Sequence, residues 1–186
     1  MSDKLPEIIV FAGPNGSGKS TVTKMAAIVE PYINADDIKR AYHCSDLEAA
    51  QRAETLMEDY VSENKNFTFE TVLSSQRKIN ILKQAKAQGY FIRGFYILTE
   101  TPDINVSRVK VRAASGGHDV PEATIRERYD KSLANIPVLM DLCDVLHIYD
   151  NTEEPFRIFK KRKAETFFWP NDFWNKEEIE TLVGVK

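Results

Sequence analysis

The sequence is poor in several features that mark specialised classes of protein. It contains only two cysteines, Cys44 and Cys143, and their spacing fits neither a metal site nor a redox motif, so we expect free thiols in a reducing compartment. No apolar run is long enough to cross a bilayer, and the first residues lack the charged-then-apolar order of a secretory signal. These absences predict a cytoplasmic protein that is not anchored in a membrane.

A strong charge of one sign is also missing. The net charge of -3 argues against broad nucleic-acid binding, but it leaves room for a small anionic ligand held by a local cluster of donors. One short basic run, residues 160–163, favours the solvated face of a late strand or turn over a nucleic-acid patch. The chain has no internal repeat and no low-complexity linker, and its 186 residues suit one domain over residues 1–186.

What the sequence does contain, near its start, is a phosphate-binding motif. GPNGSGKS, residues 13–20, fits G-x-x-x-x-G-K-[ST]; an apolar β-branched run precedes it, and a helix is expected over residues 21–29. Glycines let the backbone approach phosphate oxygens, and successive N–H groups attract the anion. The motif therefore predicts ATP binding by Gly13, Pro14, Asn15, Gly16, Ser17, Gly18, Lys19, Ser20 and Thr21. Lys19 would reach the outer phosphates, and the Ser20 hydroxyl would be a ligand of Mg²⁺.

Strand-like and helix-like stretches alternate along the rest of the chain. We expect strands at residues 32–34, 67–69, 90–98 and 144–149, and helices at 46–64, 76–88, after Pro102, from about Pro121 and around 175–183. The helix at 46–64 has a capping box, Ser45 with Glu48, and an apolar stripe of Leu47, Ala50, Ala53, Leu56, Met57, Tyr60 and Val61. The alternation predicts an α/β fold of the three-layer P-loop type, with a mostly parallel sheet covered on both faces.

The ends of the predicted strands carry the candidate catalytic groups. The carboxyl ends of parallel strands form the ligand edge of such a sheet, so the phosphate loop, Asp36, Glu70 and Thr99 should converge there. Asp36 could accept a proton from an attacking hydroxyl, or it or Asp37 could merely cap a helix. Glu70 could support magnesium, bind substrate hydroxyls, or be a solvated strand end.

A predicted lid occupies about residues 105–130. Arginines stand on both sides of a flexible glycine pair: Arg108 and Arg112 before Gly116-Gly117, and Arg126 and Arg128 after it. Closure of such a lid would bring guanidinium groups onto a transferring phosphoryl group and exclude water. The alternative is a surface hairpin whose arginines pair with Glu122, Glu127 and Asp130. His118 would order the loop between the two lid helices.

Four stretches together resemble the zeta-toxin family of P-loop kinases: AGPNGSGKST, INADDIKR, FTFETVLSS and RVKVRAASGGHDVPEATIRERYDKSLANI. The resemblance covers about residues 8–149. It implies a fold similar to nucleotide and shikimate kinases, with a helical lid. It also implies transfer of phosphate from ATP, with Mg²⁺, to a sugar hydroxyl of UDP-N-acetylglucosamine. An antitoxin, if one exists, would be a separate polypeptide.

The resemblance also implies roles for single residues. Asp36 matches the family's catalytic aspartate, Glu70 its acid at the end of strand three, and Glu54 a helix glutamate that contacts the sugar. Arg112 matches one of two arginines that touch the γ-phosphate. Arg126 is the first candidate for the second of these arginines, and Arg108 and Arg128 are the alternatives. Arg108 is also predicted to contact the nucleotide. Thr71 and His118 complete the candidate substrate contacts. Residues 71–74 depart from the family pattern, which leaves the acceptor open among sugar nucleotides and related metabolites.

Three other functions remain compatible with the residues. Leu-Ser-Ser-Gln at 73–76 faintly suggests a transporter-type ATPase, without its glycines. A nucleotide-dependent interaction module without phosphotransfer would need the phosphate loop alone. A nucleic-acid end kinase is supported only by the basic run at 160–163. Aromatic residues at 167–169 and Trp174 either complete the core or offer a partner surface.

Overall fold

A seven-stranded sheet forms the centre of the computed structural model, which describes residues 5–185. Its strands are β1 Glu7–Ala12, β2 Tyr32–Ile33, β3 Phe67–Thr71, β4 Phe91–Leu98, β5 Val145–Asp150, β6 Phe156–Arg162 and β7 Glu165–Phe168. The spatial order is β2-β3-β1-β4-β5-β6-β7, with parallel pairing from β2 to β5 and antiparallel pairing of β6 and β7. The predicted α/β fold with a mostly parallel sheet is confirmed. The expectation about the N-terminal residues falls largely outside the described range.

Eight helices connect and flank these strands within the described residues. They are α1 Lys19–Thr23, α2 Ala35–Tyr42, α3 Asp46–Ser62, α4 Gln76–Ala87, α5 Pro102–Ala114, α6 Glu122–Leu133, α7 Ile136–Leu142 and α8 Lys176–Val183. The capping box of α3 is present, and α4 is followed by Gly89 at φ +84°, as the sequence predicts. The predicted stripe of α3 is partly wrong. The residues that α3 buries are spaced four apart along the helix: Ala49, Ala53, Met57 and Val61. Leu47 and Leu56, which belong to the predicted stripe, are exposed.

The first helix is much shorter than the sequence indicates. We expected a helix over residues 21–29, but α1 ends at Thr23. The hydroxyl of Thr68 on β3 accepts a hydrogen bond from Val29 N (3.0 Å) and donates one to Val29 O (2.7 Å). This long-range pair satisfies both backbone groups of Val29, so the segment follows the sheet instead of continuing the helix.

The two faces of the sheet are covered unequally. Helices α3, α4, α7 and α8 pack their buried side chains into one large core. The second face has a small core of Ile9, Phe11, Val22, Phe95 and Ile97, to which α1 and the segment after it contribute. The predicted coverage of both faces therefore holds over β1 and β4, while the second face of β5 to β7 carries half-exposed side chains. Helices α5 and α6 form a separate apolar cluster in the predicted lid.

The last third of the chain extends the sheet and closes the large core. Phe168 and Trp174 pack against that core, whereas Phe167 is 42% exposed. The basic run at 160–163 lies on β6 and the turn after it, on the half-exposed and exposed surface that the sequence favours.

Both cysteines are free thiols, and Cys143 is buried. Among the residues that the structure describes, no helix is long and apolar enough to cross a membrane.

Candidate functional site

The loop between β1 and α1 has the backbone shape of a phosphate cradle. Gly13, Gly16 and Gly18 have φ angles of +144°, +78° and +88°, which side chains rarely adopt. A Cβ atom on Gly13 would lie 2.0 Å from the carbonyl oxygen of Ile97, and one on Gly18 would lie 2.1 Å from Nδ2 of Asn151. Only glycine fits these positions, so the motif is held in a tight, specific conformation.

Two buried asparagines, which the sequence reasoning missed, hold this loop from behind. Asn105 on α5 donates a hydrogen bond from Nδ2 to Asn15 O at 2.6 Å. Asn151, directly after β5, donates from Nδ2 to Ser17 O at 2.7 Å. Because these amides bind loop carbonyl oxygens, the loop conformation is fixed before any ligand binds. A polar residue directly after a buried strand is a signal that could have identified Asn151, but nothing local distinguishes Asn105.

The same network reaches the predicted lid. The Thr99 hydroxyl, buried at the ligand edge as expected, donates to Oδ1 of Asn105. Tyr129 on α6 donates its hydroxyl proton to Thr99 O at 2.6 Å. Hydrogen bonds therefore join the phosphate loop, the end of β4 and the two helices of the predicted lid, α5 and α6.

Lys19 lies where several predicted site residues meet. Its ammonium donates to the carbonyl oxygens of Gly13 (2.8 Å) and Pro14 (3.1 Å). Burial lowers the pKa of Lys19 to about 8, with smaller effects from the charges of Glu70, Arg112 and Asp36. Glu70, Arg112 and Asp36 are thus the charged residues that most affect this ammonium.

The loop also contains an unsatisfied polar atom. Oγ of Ser17 is fully buried and has no hydrogen-bond partner among the described residues. Ser20 and Thr21, by contrast, are exposed at the start of α1. These residues therefore offer the cradle, the ammonium and the hydroxyls that a nucleoside triphosphate requires.

Glu70 is held firmly at the end of β3. Its Oε1 accepts a hydrogen bond from the Thr23 hydroxyl at 2.9 Å, and Asn34 Nδ2 lies 3.5 Å from its Oε2. Burial and a hydrogen bond with Glu70 raise the pKa of Tyr32. The carboxylate is thus held by side chains next to the phosphate loop and is not a freely solvated strand end.

Asp36 is exposed in the first turn of α2, and it is not the cap of that helix. The cap is Asn34, whose Oδ1 accepts a hydrogen bond from Asp36 N at 2.8 Å. Asp37 forms an ion pair with Arg40. The Asp36 carboxylate therefore has no capping role to compete with a role in proton transfer.

Two other residues that are predicted to contact the substrate, Glu54 and Thr71, already have partners within the protein. Glu54 on α3 forms ion pairs with Arg77 (3.2 Å) and Lys78 (3.3 Å) on α4. Thr71 accepts a hydrogen bond from Leu73 N on its hydroxyl (2.9 Å) and one from Gly13 N on its carbonyl oxygen (3.2 Å). A substrate that contacts either residue would share it with these partners.

The four lid arginines have different surroundings. Arg108 donates to the carbonyl oxygens of Asn151 (2.8 Å) and Thr152 (2.9 Å), and Arg112 to that of His118 (2.8 Å). Arg128 lies 3.5 Å from Oδ1 of Asn15 in the phosphate loop. Arg126 instead pairs with Asp103 (2.6 Å) and Glu122 (2.8 Å), as the surface-hairpin alternative suggests for Glu122. The arrangement favours Arg128 over Arg126 as the second arginine near the phosphates.

Metal-ligating side chains are sparse around this site. Within residues 5–185, no group of three or more His, Cys, Asp or Glu residues could hold a metal ion. Mg²⁺ commonly binds through phosphate oxygens, water and one or two protein oxygens, and the exposed hydroxyl of Ser20 could supply one of these.

The fold and this loop define a protein with a P-loop kinase-like architecture. The model of the family described as Zeta toxin matches residues 29–172, well over half of the chain. The chain therefore belongs to the Zeta toxin family.

Two curated relatives differ in how much they share with the chain. An uncharacterized protein from Haemophilus influenzae is 32% identical over 127 residues, which cover 65% of this chain and 91% of the relative. The maltose/maltodextrin import ATP-binding protein MalK of Photorhabdus laumondii is 26% identical over 136 residues, which cover 70% of this chain and 37% of MalK.

Solved structures agree with the fold. A chain of the AvrRxo1-ORF1:-ORF2 complex with ATP has a TM-score of 0.73 at 14% identity, covering 97% of this chain and 64% of that one. A chain of the PezAT chromosomal toxin-antitoxin system of Streptococcus pneumoniae has a TM-score of 0.60 at 18% identity, covering 97% and 84%. The protein thus spans about two thirds of the AvrRxo1-ORF1:-ORF2 chain that it resembles.

Proposed function

We propose that this protein is an ATP-dependent kinase that transfers the γ-phosphate to a hydroxyl group of a small molecule. The acceptor is a sugar nucleotide, UDP-N-acetylglucosamine or a related metabolite. Membership of the Zeta toxin family supports the reaction class. The observation that carries the proposal is the preformed phosphate loop, in which glycines take left-handed backbone angles, buried asparagines hold the loop, and Lys19 donates to its carbonyl oxygens.

The phosphate loop would bind the nucleotide. Backbone N–H groups at residues 13–20 would contact the phosphate oxygens, and Lys19 would exchange its bonds to Gly13 O and Pro14 O for bonds to the outer phosphates. Mg²⁺, when bound, neutralises charge on the phosphates, with the Ser20 hydroxyl as a protein ligand. The crystal of the AvrRxo1-ORF1:-ORF2 complex with ATP supports nucleotide binding by this fold.

Asp36 would act on the acceptor. Its exposed carboxylate would accept the proton of the attacking hydroxyl while the oxygen forms a bond to the γ-phosphorus atom and the bond to the leaving ADP breaks. Arg112 and Arg128 would hold the transferring group in line, and Glu70 and Glu54 would orient the acceptor hydroxyls. Most of the rate enhancement would come from positioning and charge stabilisation.

The test is transfer of label from γ-labelled ATP to UDP-N-acetylglucosamine by the wild type, Asp36→Asn and Asp37→Asn. We expect a labelled sugar nucleotide from the wild type and from Asp37→Asn. Asp36→Asn should form product about 10²- to 10⁴-fold more slowly, the usual contribution of a general base.

Other outcomes of this test separate the reaction from the acceptor. ATP binding without product would retain the nucleotide site and discard this acceptor, so other sugar nucleotides would be screened with the same variants. Rapid ATP hydrolysis without any acceptor would contradict the kinase and favour a transporter-type ATPase, the class to which the MalK similarity points.

We also propose a cytoplasmic location and a separate antitoxin polypeptide as partner. The support is the likeness to a chain of a chromosomal toxin-antitoxin system. Growth arrest on expression of the wild type, but not of Asp36→Asn, would be the first sign of toxicity. Unimpaired growth with active kinase in the cells would contradict a toxin function.

A further inference from the structure

The second face of β5 to β7 carries a cluster of cationic side chains that the proposed reaction does not use. His147 on β5 lies opposite Lys160 on β6, and Tyr149 lies opposite Arg157. Arg93 on β4 lies diagonally beside His147, because Phe95 is the direct partner of that histidine. The register of β4, β5 and β6 therefore places the side chains of Arg93, His147, Lys160 and Arg157 on one face.

The positive charge of this cluster is poorly compensated. Arg93 pairs with Glu7 at 2.9 Å, but neither Arg157 nor Lys160 has an ion-pair partner among residues 5–185. Arg157 and Lys160 are half-exposed, so their cationic groups can reach a ligand with acceptor oxygens.

Aromatic rings lie between and beside the cations. The rings of Phe95 and His147 stack at 5.0 Å, and the guanidinium of Arg157 lies 4.6 Å above the ring of Trp169. Trp169 stacks with Phe167 at 6.1 Å and an interplanar angle of 19°. Phe167 is 42% exposed, so ring surface is open at the edge of the sheet.

We propose that this face binds a single-stranded nucleic acid. Arg157, Lys160 and Arg93 would contact backbone phosphates, and unpaired bases would stack on Trp169 and Phe167. A sheet face that interleaves cations with aromatic rings is a common platform for single strands. An acidic protein helix would match the charge, but the rings beside the cations favour a ligand with unpaired bases that can stack on them. The proposal gives Lys160 of the basic run a shared role with Phe167 and Trp169, which lie on the same face.

Low net charge does not oppose this interaction. The protein carries a net charge of -3, which disfavours broad binding over the whole surface. The cluster instead concentrates its cations on one face, where a local potential is sufficient for a short strand. Duplex nucleic acid would bind less well, because its paired bases cannot stack on the rings.

The test is fluorescence anisotropy with a labelled single-stranded oligonucleotide of about 12 nucleotides, within the usual size of such sites. The protein is first saturated with a non-hydrolysable ATP analogue and Mg²⁺, so that the phosphate loop is filled. We expect binding that weakens with salt. The Arg157→Glu/Lys160→Glu variant should bind at least about tenfold more weakly, with a salt slope smaller by about 1.4, because two phosphate contacts are lost.

Two further variants make the test specific to this face. Phe167→Ala, at an exposed position, should weaken binding about fivefold or more, the usual effect of losing one stacked base. Lys83→Glu, a charge reversal on the exposed surface of α4, should change the affinity less than about twofold. Circular dichroism and thermal melting would establish that each variant is folded.

Several results would overturn the proposal. It fails if the oligonucleotide does not bind, if Lys83→Glu weakens binding as much as the double reversal, or if a duplex of the same sequence binds more tightly. A polyglutamate peptide that binds this face more tightly than the oligonucleotide would assign it to an acidic protein instead. None of these results depends on phosphotransfer, because the ATP analogue cannot react.

Discussion

On the nucleotide side of the cleft, the buried Asn105 and Asn151 fix the phosphate loop through hydrogen bonds of 2.6 and 2.7 Å. On the acceptor side, Asp36 is exposed and Glu54 is bound in ion pairs with Arg77 and Lys78. The phosphate loop is therefore preorganised by buried, neutral hydrogen bonds, whereas Glu54 is held by one exposed and one largely buried charged partner. In the proposed reaction, the loop backbone would need little rearrangement to bind ATP, with only Lys19 changing its partners, whereas the acceptor would compete with Arg77 and Lys78 for Glu54.

The largest effect should follow from removing the charge at the centre of the nucleotide side. Lys19→Met should lower kcat/KM for ATP by about 10³-fold, because the ammonium would contact the outer phosphates in the transition state. Steady-state kinetics with the acceptor saturating would measure it. Lys24→Met, at an exposed position one residue after α1, is the matched control. Equal losses in both variants would contradict the special role of Lys19.

Breaking the support of the loop should have the next largest effect. Asn105→Ala leaves Asn15 O and the Thr99 hydroxyl without their buried partner, which should lower the free energy of unfolding by about 1–3 kcal/mol. The looser loop should also raise the Kd for ATP about tenfold. Chemical denaturation and calorimetric titration would separate the two effects. A loss of stability with an unchanged Kd would show that the loop does not need this support.

The pH dependence of ATP binding should report on Lys19 directly. Its pKa of about 8 in the free protein lies below the ordinary 10.5, so the ammonium loses its proton as the pH rises through 8. Bound phosphates favour the charged form, and ATP affinity should therefore fall between pH 8 and 10, with proton uptake on binding. Calorimetry in buffers of different ionisation enthalpy would detect that uptake. Affinity that stays constant over this range would contradict the assignment.

Stability should change with pH in the opposite direction. The folded-state pKa of Lys19 lies below its unfolded value, so the unfolded chain binds more protons between pH 8 and 10.5. The Lys19 contribution to the free energy of unfolding of the nucleotide-free protein should therefore rise across this window. Denaturation of wild type and Lys19→Met at several pH values would isolate it, because the variant lacks the titrating group.

The smallest effect on catalysis should come from Glu54, a predicted contact of the acceptor. Glu54→Gln removes the charge that pairs with the exposed Arg77 and with the largely buried Lys78, so this variant should also lose some stability. The Kd for ATP should stay within about twofold, while KM for the acceptor should change severalfold. Glu58→Gln, on the exposed surface of the same helix, is the control. A matching change in the Kd for ATP would show that the two sides are not independent.

Much of the fold was predictable because its signals are local. The run before Gly13 predicted β1, the capping box at Ser45 predicted the start of α3, and Gly89 predicted the end of α4. The length of α1 was not predictable, because it depends on the hydrogen bonds of Thr68 with Val29, which lies 39 residues away. Asn105 escaped prediction for the same reason, since it binds the carbonyl oxygen of Asn15, which lies 90 residues away.

The sequence by itself determined the phosphate loop, the alternation of strands and helices, and the carboxylates at the strand ends. Each of these depends on a residue and its near neighbours. Only the tertiary structure decided which partners these groups have: that Asn34 caps α2 in place of Asp36, and that Arg126 pairs on the surface while Arg128 approaches Asn15. It also decided that cations from β4 and β6 share one face with His147 of β5. Side chains meet across strands according to register and sheet order, which are properties of the folded chain.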